Sequence, residues 1–246
     1  VRLLAARVYD LAGTVVAERI EYADLAGSDH VEVLGRLSEL SAEVLAECPG
    51  GVRLAGAGLA LPGIVTTRDE YLLVAPTLGW TDLRPAAHID PDAIGGVPLR
   101  VGNDANLSAR AVAEPLPGRR GPLEDFFYVC GDTGIGGAAV AHGRLVTGRH
   151  GWAGEIGHVC VDPAGPACGC GAVGCLEQYA GDRAMIVAAG LPDSATAADL
   201  AARCRKAAIE GRWATTMRFY AGPTVLIIDE LGRSEEHTSE LQSLRR

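Results

Sequence analysis

Lysine is almost absent from this chain: Lys206 stands alone against 21 arginines, and the formal net charge is -9 over 246 residues. An acidic balance with no basic stripe excludes a segment that grips nucleic acid by itself, because phosphate binding relies on clustered cationic side chains. The arginine bias, together with abundant alanine, points to a GC-rich coding genome rather than to an activity. No apolar run reaches the roughly 18 to 20 residues that a membrane-spanning helix requires. The opening VRLLAARVYD has strand patterning and none of the architecture of a signal peptide. No G-x4-G-K-[ST] loop occurs, so the phosphate cradle built on that motif is excluded. Internal repeats and heptads are lacking as well. Val1 stands where an initiator methionine would, which predicts that the true N-terminus lies upstream. What remains, 48% hydrophobic and 22% charged, suits a globular chain long enough for one large or two ordinary domains.

Cysteine, by contrast, is concentrated. Residues 155–177 read EIGHVCVDPAGPACGCGAVGCLE, a Gly/Pro-rich stretch that cannot be a regular helix or a long strand. His158, Cys168, Cys170 and Cys175 supply one imidazole and three thiolates, the count and softness of a closed tetrahedral zinc site. Glycines 169, 171 and 174 are expected to let the backbone turn sharply enough for the sulfurs to converge. The alternative is a set of buried free cysteines behaving as small apolar residues. A disulfide fits less well, since Cys168 and Cys170 are too close in sequence to pair comfortably. Seven cysteines, an odd number with a metal-type cluster, predict a reducing cytoplasm.

Taken in order, residues 3–10 and 14–22 are β-rich with turn chemistry at Ala12-Gly13, predicting a hairpin. Val31 to Cys48 carries Val33, Leu34, Leu37, Leu40, Val44 and Leu45 at helical spacing. Leu54 to Leu61 reads as a buried strand ended by Pro62-Gly63, an α/β alternation with ligand-binding loops at strand ends. Tyr71 to Leu83 reads as a loop holding Trp80. Leu99 to Val101 is a short strand leading to Asn103-Asp104, which would cap a helix from Ala105 to Glu114. Pro115 to Pro122 is the expected linker between domains. Phe126 to Cys130 starts a second sheet, and Gly131 to Gly137 is a glycine-rich turn into the strand Ala138 to Ala141. Such a turn either cradles phosphate on its N–H groups or simply makes a tight hairpin. Three helical segments follow the cysteine stretch, over 176–180, 183–189 and 195–209.

The character of the chain changes near Lys206. PTVLIIDELG at 223–232 resembles the metal-site strand of transposon-associated helper ATPases, and RSEEHTSELQS at 233–243 resembles the translation of a widely used sequencing adapter. Residues 206–246 are therefore expected to be foreign to the gene and are set aside from fold reasoning.

Five stretches carry a family resemblance: LPGIV at 61–65, APTLGW at 75–80, VGNDANLSARAVAE at 101–114, GDTGIGGAAVAHGRLVTG at 131–148 and GWAGEIGHVCVDPAGPACGCGAVGCLEQYAG at 151–181. Together they resemble the ROK family of repressors, open reading frames and sugar kinases, over about residues 2–205. The resemblance implies an actin-like ATPase, ribonuclease-H-like α/β fold of two lobes, truncated here at both ends. An N-terminal lobe over 1–114, lacking its first strand, the linker 115–122, and an incomplete C-terminal lobe over 123–205 follow from it. It implies sugar bound in the cleft between lobes and a structural zinc on His158, Cys168, Cys170 and Cys175. Asn103, Asp104, Glu155, His158 and Glu177 match the family's sugar-contacting positions; Cys160 and Cys48 are left to packing.

The family holds both kinases and regulators. In the kinases the residue matching Asp104 is the general base, and ATP with magnesium meets an acid-x-G-G-T loop and a G-T-G-x-G turn, here Thr133, Gly134 and Gly136. The place of the first loop would lie just before Val1, so truncation hides it; Asp132 stands where the kinase turn has a neutral glycine, an unfavourable charge facing a triphosphate, and the start VRLLAARVYDLAGTVVAE looks more like that of the family's regulators. The resemblance is therefore closer to the regulator branch, whose sugar or sugar-phosphate effector domain follows a DNA-binding winged helix missing from this chain. Such proteins are expected to be cytoplasmic homodimers with no membrane attachment; the alternative is an ATP-dependent hexose kinase.

Overall fold

The computed structural model describes residues 3–50, 53–131, 134–192 and 194–211. Two compact units divide the chain: unit one holds Val1–Val129 and Gly136–Ile156, and unit two holds Cys130–Ile135 and everything from Gly157 onward. Thr133, Asp132 and the tail from position 212 lie outside the described residues.

Unit one opens with β1 (Leu3–Tyr9) and β2 (Val15–Tyr22), antiparallel with Leu3 opposite Tyr22. Asp10 builds the turn, its Oδ1 accepting the N–H groups of Ala12 and Thr14 at 2.8 Å each. The helix α1 (His30–Glu47) is capped by Asp29, whose Oδ1 accepts from Val31 N at 2.8 Å and Glu32 N at 3.1 Å. Its buried residues include Leu34, Leu40 and Val44, three of the apolar positions read from the sequence, with Ser38 beside them on the same face. Leu40 and Val44 pack with Ala6 of β1, while Leu34 enters the larger core. On the outer face Arg36 binds Glu21 of β2 and Glu39 and Glu43 of its own helix.

Strand β3 (Ala57–Leu61) ends at Pro62-Gly63, followed by β4 (Ile64–Val65). Gly63 has φ +98°, and a Cβ there would stand 2.2 Å from the Val74 carbonyl oxygen, so this turn admits only glycine. The stretch expected as a loop at 71–83 is a hairpin, β5 (Leu72–Ala75) and β6 (Trp80–Leu83), with β4 against β5. Its strands are four residues each around a Pro76-Thr77-Leu78-Gly79 turn, too short to display alternation. Leu72, Ala75, Trp80 and Leu83 join Leu34, Leu59, Leu61 and Val101 in the main core. The Trp80 indole N–H donates to the Ser28 carbonyl at 2.8 Å, which satisfies its buried polar end.

After two short 3-10 turns comes β7 (Leu99–Asn103), parallel to β3 with Leu61 beside Asn103. The helix α2 (Asp104–Ala113) starts at once, so the C-terminal ends of two parallel strands and a helix N-terminus meet at Asn103-Asp104. Residues 115–122 lie inside unit one, where Gly121 N–H returns to the Ala113 carbonyl at 2.8 Å. Strands β8 (Phe126–Gly131), β9 (Ile135–Ala141) and β10 (Arg144–Val146) form a sheet in the order β10-β9-β8. Ala109 and Ala113 of α2 pack against Ala138 and Val140 of β9. Unit two contains the cysteine stretch, α3 (Glu177–Ala180), α4 (Asp182–Ala188) and α5 (Ala197–Ile209), with Ala189, Leu200 and Cys204 buried together. Among the described residues no helix is long and apolar enough to cross a membrane.

Candidate functional site

The cysteine stretch of unit two folds back on itself through a few backbone bonds. Val161 N–H meets the Gly174 carbonyl at 2.8 Å and Leu176 N–H meets the Val159 carbonyl at 2.9 Å, pairing the two ends of the loop. Inside, Gly171 N–H closes a turn on the Cys168 carbonyl at 3.0 Å, and Cys168 N–H bonds the Ala172 carbonyl at 2.8 Å. Gly171 and Gly174 take φ +91° and +63°, and a Cβ on Gly174 would stand 1.6 Å from the Asp162 carbonyl oxygen. Gly169, expected to serve the same purpose, is not left-handed and has open space where a Cβ would go.

This loop brings the four expected ligands together. One ligand atom from each of His158, Cys168, Cys170 and Cys175 lies within 4.8 Å of the others. Cys168 Sγ is 3.6 Å from His158 Nδ1, and Cys170 Sγ is 3.7 Å from Cys175 Sγ. A tetrahedral site with metal–sulfur bonds of about 2.3 Å has edges of roughly 3.7 Å, so the set fits a closed four-coordinate centre. None of the seven cysteines, all of them among the described residues, is in a disulfide. Burial pushes the Cys168 thiol up, but hydrogen bonds with the Cys170 backbone and with the Cys170, His158 and Cys175 side chains outweigh it and bring it down to about 7. Burial, with the neighbouring Cys170 and Cys168, pushes the Cys175 thiol up to about 12. Gln178, which sequence reasoning passes over, donates its Nε2 to Cys168 Sγ at 3.5 Å. Cys160, assigned to packing on the sequence, is exposed, and Cys48 is half-buried with its sulfur 3.5 Å from the Val44 carbonyl.

The remaining candidate residues fall in both units. In unit one, Asn103 is the N-cap of α2: its Oδ1 accepts from Asn106 N at 2.9 Å and its Nδ2 donates to the Gly63 carbonyl at 3.0 Å. Asp104 Oδ1 accepts from Ala105 N at 2.8 Å and from Asn103 Nδ2 at 3.1 Å. Glu155 is half-buried, and Gly136 lies in β9. In unit two, Glu177 Oε2 accepts the Ile135 N–H at 3.0 Å, above Gly134. A cavity of about 580 Å³ in unit one, beside α2 and β10, is lined by Asn103 and by Asn106, whose buried Oδ1 has no hydrogen-bond partner. Nothing in the local sequence signals it beyond a second asparagine in the first helical turn.

The chain is a mixed α/β protein with the actin-like ATPase fold of the solved structures it is similar to. The chain belongs to the ROK family, whose model matches residues 36–222. Among curated relatives, the xylose repressor of Caldicellulosiruptor bescii is 31% identical over 179 residues, covering 72% of this chain and 43% of the relative. The N-acetylmannosamine kinase of Salmonella typhimurium is 44% identical over 98 residues, covering 40% of this chain and 33% of the relative. The chain thus spans between a third and under half of the length of these relatives. Among solved structures, a ROK family glucokinase from Streptomyces griseus in complex with glucose and AMPPNP is 29% identical with a TM-score of 0.61, covering 76% of this chain and 57% of that one. A ROK family transcriptional regulator, a homolog of the E. coli MLC protein, is 25% identical with a TM-score of 0.62, covering 83% of this chain and 53% of that one. Repressors and sugar kinases both stand among the relatives.

Proposed function

We propose that this chain is the sugar-binding effector domain of a ROK-type transcriptional regulator that reaches DNA through a separate winged-helix domain and acts as a homodimer. The observation that carries this reading is Asp132, a carboxylate in the glycine turn where a triphosphate-binding loop needs neutral backbone donors. The relatives include both kinds, a repressor 31% identical over 72% of the chain and a kinase 44% identical over 40% of it. Asn103, Asp104, Glu155, His158 and Glu177 offer the mixed donors and acceptors that sugar hydroxyls require, since each hydroxyl both donates and accepts. Zinc is the metal assigned to His158, Cys168, Cys170 and Cys175: four protein ligands leave no open position, so the ion is structural and holds the loop. His158, turned to the sulfurs by Nδ1, keeps Nε2 for a sugar hydroxyl, which couples metal to ligand.

A second reading, an ATP-dependent hexose kinase with magnesium, is favoured by Asp104, whose carboxylate at the start of α2 suits a general base. One experiment separates the two. The protein is titrated with a hexose and N-acetylhexosamine panel by thermal shift, then assayed for sugar-dependent ATP consumption. A sugar that raises the melting temperature with no ATP turnover is the expected result. Turnover that disappears in Asp104→Asn would overturn the regulator reading in favour of the kinase.

A further inference from the structure

We propose that the metal centre of unit two sets the backbone of Gly134 and Ile135, where β9 begins, through a clamp on Ile135, with Glu177 and Gly157 as positioning residues. This rests on the cluster holding a metal and is independent of any sugar. The two jaws of the clamp are the flanks of the ligand set: Glu177 follows Cys175 by two positions and Gly157 immediately precedes His158. On one side Glu177 Oε2 accepts the Ile135 N–H at 3.0 Å. A Cβ on Gly134 would stand 2.2 Å from that same oxygen, so the carboxylate has closed onto backbone where only glycine leaves room. On the other side a Cβ on Gly157 would stand 2.3 Å from the Ile135 carbonyl oxygen, so the backbones of 157 and 135 touch directly. Both polar backbone groups of Ile135 are thereby covered by residues adjoining metal ligands. The jaws are tied to each other as well, because Leu176 N–H bonds the Val159 carbonyl at 2.9 Å and the backbones of residues 160 and 175 form an antiparallel β-bridge.

The loop between the jaws has no regular helix or strand to hold it, only a handful of turn bonds. Binding His158 and Cys175 to one ion adds a strong tie between the jaws to the backbone bonds that already join residues 159, 160, 175 and 176; without the ion those few bonds and the charge-assisted bond to Ile135 must hold the clamp. The metal therefore reaches a segment that holds none of its ligands, and it does so through one amide.

The test is hydrogen exchange at the Ile135 amide in the full chain, followed by mass spectrometry or NMR, with zinc content measured in each sample. Zinc-loaded protein is expected to protect this amide, and chelation to speed its exchange roughly tenfold or more, as loss of one hydrogen bond to a charged group implies. Amides of β5 and β6 in unit one serve as the unaffected control. Glu177→Ala is expected to keep zinc and lose the protection, Gly134→Ala to do the same, and Glu177→Gln, whose amide oxygen still accepts, to restore it. Zinc bound with Ile135 exchange unchanged by chelation, or Glu177→Ala indistinguishable from the parent, overturns the clamp alone. Failure to take up zinc overturns the clamp and the metal assignment together.

Discussion

Gln178 donates its side-chain amide to the sulfur of Cys168 at 3.5 Å, from the first turn of α3 onto a ligand ten residues earlier. A donor on a thiolate lowers its charge density and orients it, and such outer contacts are worth about 10- to 100-fold in metal affinity. Gln178→Leu is therefore expected to weaken zinc binding about tenfold in competition with a chromophoric chelator while leaving one ion per chain. Cys160→Ser, at an exposed position, is expected to leave it unchanged. Equal losses in both variants would show that Gln178 has no special role.

Loss of a ligand is a different matter. Cys175 is fully buried between its partners, and Cys175→Ala leaves three ligands and a void. Stoichiometric zinc is expected to disappear from this variant, and its melting temperature is expected to become insensitive to chelator, whereas the parent melts earlier after chelation. A Cys175→Ala protein that retains one zinc would remove Cys175 from the ligand set.

Two glycines with left-handed backbone should respond very differently to alanine. At Gly63, φ +98°, the new methyl would stand 2.2 Å from the Val74 carbonyl oxygen; at Gly96, φ +68°, nothing lies within 4 Å. Gly96→Ala should cost about 1 kcal/mol from backbone strain alone. Gly63→Ala should cost about 3 kcal/mol or more, since strain and collision add. Urea melts of the two variants give the comparison, and similar midpoints would contradict the close approach at Gly63.

Leu34 is completely buried where α1 meets the strands of unit one. Leu34→Ala is expected to destabilise the chain by about 2 to 5 kcal/mol, the range for a leucine cavity that relaxes only in part. Val31→Ala, on the exposed side of the same helix, is expected to change little. Chemical melts of the two variants make the check, and equal losses would contradict the packing of Leu34.

The cap of α1 gives a pH signature. Hydrogen bonds from the Glu32 N–H and then the Val31 N–H hold the Asp29 carboxyl below the ordinary aspartate range against the opposing effect of burial. A carboxylate lowered in the folded state adds stability that is fully present above its unfolded value, near 3.9, and is lost as pH falls through the lower folded value. Asp29→Asn still caps the helix but does not titrate, so its acid unfolding limb should be shallower than the parent's below about pH 4. Identical acid limbs would show that Asp29 contributes nothing to it.

Coordination chemistry demands particular residue types at short spacing, so His158, Cys168, Cys170 and Cys175 can be read from the sequence, and the structure gathers them within 4.8 Å. Helical periodicity and capping residues are local in the same way, which is why α1 and α2 lie within a residue or two of their expected bounds. The hairpin of β5 and β6 escapes because its four-residue strands flank a proline-glycine turn and bury every third residue rather than every second. Gln178 on Cys168 and Glu177 on Ile135 escape for another reason: the second of these contacts joins residues 42 positions apart, and neither partner's neighbours in the chain encode it. Local chemistry decides which side chains can bind an ion, and only the folded backbone decides that the carboxylate beside them, Glu177, meets the distant amide of Ile135.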